Sequence, residues 1–162
     1  MPIPSNNAVR AWRALERSPN ELWVEWATQR LVAGDDTTNL RILAGLREPF
    51  DHLEMFRLTD RILAELNVPA LDRTKAVEAY AEELLNDLLE RRQAMDEVLA
   101  ELANLCVEAG YHRGIYPFYL LHFAHLDLKR QPEQHYWTGA DQSNIDRIVR
   151  EEATKWLSHR AA

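Results

Sequence analysis

The sequence predicts an all-α fold: a single compact multi-helix domain over residues 1–162, with about six to eight helices. Three observations predict it. Helix-opening residues recur along nearly the whole chain, as in Ser18-Pro19-Asn20-Glu21, Asp72 and Ser143-Asn144-Ile145-Asp146. Gly34, Gly45 and Gly110 fall where apolar residues at spacings of three and four stop. No alternating apolar–polar run of strand length appears. With 162 residues the chain is long enough to bury a core without disulfides or a structural metal. No repeat, low-complexity tract or flexible linker divides it.

The elements follow in order. A first helix begins near Asn6 or Asn7 and runs to Arg17, with Val9, Trp12 and Leu15 on one side. A second is opened by Ser18 as cap, Pro19 at the first helical position and Glu21 reaching back, and it stops at Gly34. A short helix follows the cluster Asp35-Asp36-Thr37-Thr38 and ends near Gly45. Glu48-Pro49 breaks the pattern, and Asp51 caps a helix reaching about Leu66. Val68-Pro69-Ala70-Leu71 is a turn.

Asp72 then starts a long helix with Ala76, Val77, Tyr80, Ala81, Leu84, Leu85 and Leu88 on one face. Met95, Val98, Leu99, Leu102, Leu105 and Cys106 continue the helical pattern in a shifted register. Residues 72–109 are therefore one bent helix or two, and the shift near Arg91 favours a break. Gly110 to Gly114 is a loop, and Pro117 opens the aromatic helix Phe118-Tyr119-Leu120-Leu121-His122-Phe123-Ala124. A polar stretch from Lys129 to Gln142 leads to a last helix with Ser143 as cap and Ile145, Ile148, Val149, Ala153, Trp156 and Leu157 facing inward.

Charge narrows the function classes. The formal net charge is −7, and it is uneven: residues 70–101 carry nine acidic against four basic side chains. Nucleic-acid binders concentrate positive charge, so a nucleic-acid partner is disfavoured and a basic protein partner is favoured. A helix-turn-helix reading of residues 38–66 meets the same objection, because its second helix presents Asp51, Glu54 and Asp60. No window approaches the length of apolar chain that spans a bilayer. The first residues, Met1 to Asn7, have neither the basic start nor the apolar stretch of a secretory signal, so a cytoplasmic protein is expected. The single cysteine, Cys106, lies in an apolar run and is expected to be a buried structural thiol.

Few residues suggest chemistry. His122 and His125 lie three apart on a helix, where both face one side and, with Asp127, form a candidate metal site. Their aromatic and aliphatic surroundings favour hydrogen-bonded structural histidines, and no His-Glu-x-x-His pattern or paired cysteine supports the metal site. No histidine has a carboxylate three residues before it, which removes the di-iron bundle pattern. No nucleophile elbow or phosphate-cradling glycine loop is present, and no cofactor is expected. The segment from Gln134 to Asn144 is the least generic. Tyr136 and Trp137 are candidate interface anchors, of the residue types that dominate binding hot spots. The other reading tucks them under the last helix, with Asp141 and Asn144 holding the loop by local hydrogen bonds.

Two segments carry a family resemblance: Leu40-Arg41-Ile42-Leu43-Ala44-Gly45-Leu46-Arg47-Glu48-Pro49-Phe50-Asp51-His52-Leu53-Glu54-Met55, and Tyr136-Trp137-Thr138-Gly139-Ala140-Asp141-Gln142-Ser143-Asn144-Ile145-Asp146-Arg147. Both resemble text from small bacterial proteins. In size, acidity and helical character the chain is similar to immunity proteins that neutralise secreted toxins. That resemblance implies a non-enzymatic protein-binding domain that occludes a basic partner. The expected contact residues are acidic side chains of residues 72–101 or of the Asp35, Asp36, Asp51 and Glu54 region, with Tyr136, Trp137 and Asp141 beside them. The alternatives are a metal-dependent helical enzyme or sensor built on His122 and His125, and a helical scaffold or homodimer.

Overall fold

The computed structural model describes residues 3–161. Met1, Pro2 and Ala162 lie outside the described residues, and with them the first two positions of the stretch read for a secretory signal. The fold is all-helical, as the sequence predicts. Among the described residues there are eight helices and no strand: α1 (Asn6–Ala14), α2 (Glu21–Val32), α3 (Thr38–Ala44), α4 (His52–Glu65), α5 (Arg73–Leu89), α6 (Met95–Glu108), α7 (Tyr116–Leu128) and α8 (Ile145–Ala161). None is long and apolar enough to cross a membrane. Contacts cluster into two compact units, Met1–Tyr80 and Ala81–Ala162, and the boundary falls inside α5.

In the first unit, tryptophans set the packing. Trp23, Trp26 and Trp12 are buried, with Trp12 against Trp23 (centroids 6.3 Å apart) and edge-on to Tyr80 (6.2 Å). The indole N–H of Trp26 donates to Asn6 Oδ1 at 2.9 Å, which satisfies the polar edge of a buried ring. Arg13 ties α1 to α4: its guanidinium makes a two-bond fork on Asp60 (2.8 and 3.0 Å) and lies 4.5 Å from the centre of the Phe56 ring.

In the second unit, Leu84, Leu85 and Leu88 of α5 are buried, as are Val98, Leu99, Leu102, Leu105 and Cys106 of α6. These match the periodicity except for Met95, which is only half-buried at the start of α6. Phe118, Leu121, Ala124 and Leu128 form the buried stripe of α7, and α6 packs on α7. Helix α8 is held by polar contacts: Arg150 donates to the Leu88 carbonyl (2.8 Å), Arg160 to Glu82 (2.6 Å), and the Trp156 indole to the Gly114 carbonyl (2.8 Å).

Helix starts follow the sequence with two corrections. Thr37, Asp51 and Asp72 cap α3, α4 and α5 through their side chains as expected for helix openers. Helix α2, however, is capped by Asn20, whose Oδ1 accepts from the Leu22 N–H at 3.0 Å, and not by Ser18. Asn20 has the extended backbone a cap requires, and the helix begins after it, so Pro19 stays outside. Ser143 does not cap α8 either: its hydroxyl donates to Asp141 Oδ1 (2.5 Å), and Asp141 closes the turn that leads into the helix. Asp141 Oδ1 accepts from the N–H groups of Ser143 (2.8 Å) and Asn144 (3.0 Å), and Asn144 Oδ1 accepts from the Asp141 N–H (2.7 Å), a reciprocal set of bonds.

Helix ends share one device. After α1, α2, α4, α5 and α6 a residue takes the left-handed conformation, and the next residue's N–H donates to a carbonyl in the last turn. The left-handed residues are Glu16 (φ 54°), Gly34 (103°), Asn67 (56°), Arg91 (59°) and Gly110 (73°). The closing bonds run from Arg17 to Trp12, Asp35 to Arg30, Val68 to Leu63, Arg92 to Asp87 and Tyr111 to Cys106. Helix α1 therefore ends at Ala14 rather than Arg17. The break near Arg91 separates α5 from α6.

Glu16 and Arg91 are exposed and hold this conformation against the steric cost of a Cβ. Glu16→Gly and Arg91→Gly should each raise stability by about 0.5–1 kcal/mol, read as a higher urea midpoint. Gly34→Ala should lower it.

Candidate functional site

The acidic residues singled out by the sequence are engaged locally. Asp35 pairs with Arg30 at 2.9 Å and Asp36 with Arg41 at 2.8 Å. The Arg41 hydrogen bond and charge hold the Asp36 carboxyl below its usual range. Asp51 spends Oδ1 on the N–H of Glu54, the cap of α4. Along residues 72–101, Asp72 caps α5, Glu82 accepts from Arg160, and Asp87 accepts from Arg92 (2.8 Å) and Gln93 (2.6 Å). These carboxylates serve the fold, and their field acts at a distance.

His125 finds its carboxylate on another helix. Its Nε2 lies 2.6 Å from Oδ1 of Asp96 in the first turn of α6, and Lys129 pairs with the other oxygen of Asp96. The hydrogen bonds from Lys129 and then His125 hold the Asp96 carboxyl below its usual range. An ionised carboxylate only accepts, so Nε2 carries the proton of this contact. The other nitrogen, Nδ1, is buried without a hydrogen-bond partner. Burial lowers the pKa of His122, the nearby His125 adds to this, and Asp96 opposes it; His122 is neutral at pH 7. Among the described residues no group of three or more His, Cys, Asp or Glu is arranged to hold a metal ion, so His122, His125 and Asp127 are not brought together as a ligand set.

The segment from Gln134 to Asn144 is organised from within. Gln134 Oε1 accepts from the N–H groups of Tyr136 and Trp137 (both 2.8 Å), and its Nε2 donates to the carbonyls of Trp137 (2.5 Å) and Ala140 (3.1 Å). Trp137 is half-buried. The Asp141 carboxyl, hydrogen-bonded by the Ser143 hydroxyl and backbone, sits below its usual range. Tyr136, by contrast, is 44% exposed, and its ring lies 5.5 Å from that of Phe123 on α7.

That contact is one rung of a ladder of rings. Tyr111 meets Tyr119 edge-on (5.7 Å), Tyr116 stacks on Tyr119 (5.4 Å, 15° between planes), and Tyr119 meets Phe123 edge-on (5.0 Å). His122 also touches Phe123, at 5.0 Å. Four of the chain's five tyrosines thus converge on one surface. Tyr111 is 54% exposed, Tyr116 39%, and Leu126 at the far end of α7 37%. Burial comes first among the causes that push the Tyr119 hydroxyl up, with Tyr111 and Tyr116 adding, so the Tyr119 phenol is neutral at pH 7.

Backbone strain places the first rung. Tyr111 follows the left-handed Gly110 and is itself left-handed (φ 60°), a conformation that a bulky residue rarely holds. It is held there by the carbonyl of Cys106, which accepts from Tyr111 N–H (2.7 Å) and His112 N–H (3.2 Å). A Cβ on Gly114 would lie 2.8 Å from the His112 ring, so that turn closes tightly behind it. Retained strain of this kind concentrates at functional positions. Sequence reasoning singled out Tyr136 but assigned no role to Tyr111, Tyr116, Tyr119 or Phe123. The available signal was spacing: Tyr116, Tyr119 and Phe123 repeat at three and four on the side of α7 away from Phe118, Leu121 and Leu128.

In comparison with known proteins, no family model matches the chain, and neither a curated protein nor a solved structure does.

The Asp96 cluster has a signed pH dependence. Because the folded-state pKa of Asp96 is depressed, its contribution is present above the ordinary value of 3.8 and is lost as pH falls through the folded-state value. The stability gap between wild type and Asp96→Asn should therefore be widest near neutrality and close in acid, as denaturant titrations at stepped pH would show. Asp141→Ala should lower the unfolding midpoint through loss of the turn that leads into α8, and Asp141→Asn should restore most of it.

Proposed function

We propose that this protein is a non-enzymatic protein-binding domain of the immunity or antitoxin kind, which occludes a basic partner protein in the bacterial cytoplasm. The observation that carries the reading is the ring ladder of Tyr111, Tyr116, Tyr119, Phe123 and Tyr136, in which Tyr111, Tyr116 and Tyr136 are exposed and Tyr119 and Phe123 are half-buried. Tyrosines supply large, stiff contact area at low entropic cost, and clustered aromatics are the usual anchors of an interface. Mutual ring contacts organise these before any partner arrives, which lowers the ordering cost of association.

Charge supports the same reading by a separate route. Residues 81–162 hold fourteen acidic against nine basic side chains. Since the individual carboxylates named above are tied into the fold, their role in binding is steering: a negative field raises the encounter rate with a basic surface and weakens with salt. Release is then slowed by the aromatic contacts.

Two substitutions separate binding from folding. Tyr119→Ala should weaken a partner by tenfold or more, on the order expected for an interface anchor. Tyr111→Asn should relieve the left-handed strain, leaving stability equal or higher while binding falls. The measurement is co-expression with products of adjacent genes, scored by cell protection and by affinity of the purified pair. Protection by both variants equal to wild type would remove the ladder from the function.

A further inference from the structure

Arginine already lies over aromatic rings at three places among the described residues. The guanidinium groups lie over Phe56 (Arg13, 4.5 Å), Trp12 (Arg17, 5.0 Å) and Trp156 (Arg160, 5.7 Å). None lies over a ring of the ladder, although the ladder is the largest group of linked rings in the second unit. The Tyr119 phenol at its centre is neutral, its neighbour His122 is neutral, and the surrounding unit is net negative.

We infer that the ladder is an acceptor for guanidinium groups, so that the partner docks by an arginine-bearing segment laid over Tyr116, Tyr119 and Tyr136. This rests on the protein-binding reading above and names the chemistry of the partner at that face. An aromatic ring attracts a cation through the negative potential of its face, and arginine adds planar stacking and is more weakly hydrated than lysine. A second copy of the chain fits less well, because it brings another charge of −7 to the same surface. A purely aliphatic segment would leave the ring potential and the negative unit uncompensated.

The test titrates the full chain with a short peptide of alternating arginine and glycine, followed by NMR of the tyrosine rings. The reference peptide carries citrulline, which keeps the planar shape and loses the charge. The expected result is saturable shifts at Tyr116, Tyr119 and Tyr136, with the arginine peptide favoured about tenfold. Any cationic peptide is drawn to an acidic chain, so the deciding arm is the double variant Tyr116→Leu, Tyr119→Leu, which keeps apolar area and removes the ring faces. That variant should lose the preference, and a Phe pair at the same positions should retain it.

Equal binding of the two peptides, or a preference that survives the leucine pair, overturns the inference. So does a dimer in sedimentation that the leucine pair abolishes, which would assign the face to a second copy. If ladder variants lose cell protection while the two peptides bind alike, guanidinium recognition falls and the docking reading stands. If neither protection nor peptide binding responds to the ladder, both fall.

Discussion

Helix α7 carries large apolar or aromatic side chains on two opposite sides, and packing against α6 and α8 buries only one of those stripes fully. Phe118, Leu121, Ala124 and Leu128 take the buried stripe. On the opposite side Tyr116 and Leu126 stay exposed, and Tyr119 and Phe123 are half-buried. The rings partly cover one another, which is why they form a ladder and not a scatter. Tyrosine is suited to that position because its hydroxyl end accepts water while its ring stays in contact. The loops on either side complete the surface. The left-handed turn at Gly110 and Tyr111 brings one ring to Tyr119, and the Gln134-organised loop brings Tyr136 to Phe123.

The negative charge plays a second part on this scaffold. Asp96 joins α6 to α7 through His125 and Lys129; Glu82 and Asp87 are tied to Arg160 and Arg92; Asp51 and Asp72 cap helix starts, and Asp141 closes the turn before α8. A carboxylate spent on a cap or an exposed ion pair contributes modestly to stability. A cap still contributes to the field, since backbone N–H groups carry no net charge, whereas a carboxylate paired with arginine is largely cancelled. Field and contact surface are thus separable: one is spread over many fold-supporting acids, the other concentrated in five rings.

Legibility in the sequence differed between helix starts and helix ends for a physical reason. Starts depend on a side-chain oxygen near a few N–H groups, so several nearby residues compete for the role. The chain offered Ser18 and Asn20 before α2, and Asn20, with the better-placed acceptor and an extended backbone, won. Before α8, Ser143 yielded to Asp141, whose carboxylate closes the turn. Ends depend on one residue turning left-handed. Gly34 and Gly110 advertise this, and Asn67 does so weakly, whereas Glu16 and Arg91 do not. At these two positions the hydrogen bonds that close the helix outweigh the local preference, so the α1 end could not be placed from composition.

Taken alone, the amino-acid order determined the helices, their apolar faces and the acidic balance, because spacings of three and four and capping chemistry act within a few residues. It could not choose which of two apolar sides of α7 would be covered. Nor could it show that the carboxylate meeting His125 is Asp96, 29 positions away, rather than Asp127. The convergence of Tyr111, Tyr116, Tyr119 and Tyr136 was likewise decided by packing, since it requires two loops and a helix to be brought to one surface. Such contacts depend on where whole elements settle, and no short-range pattern encodes that.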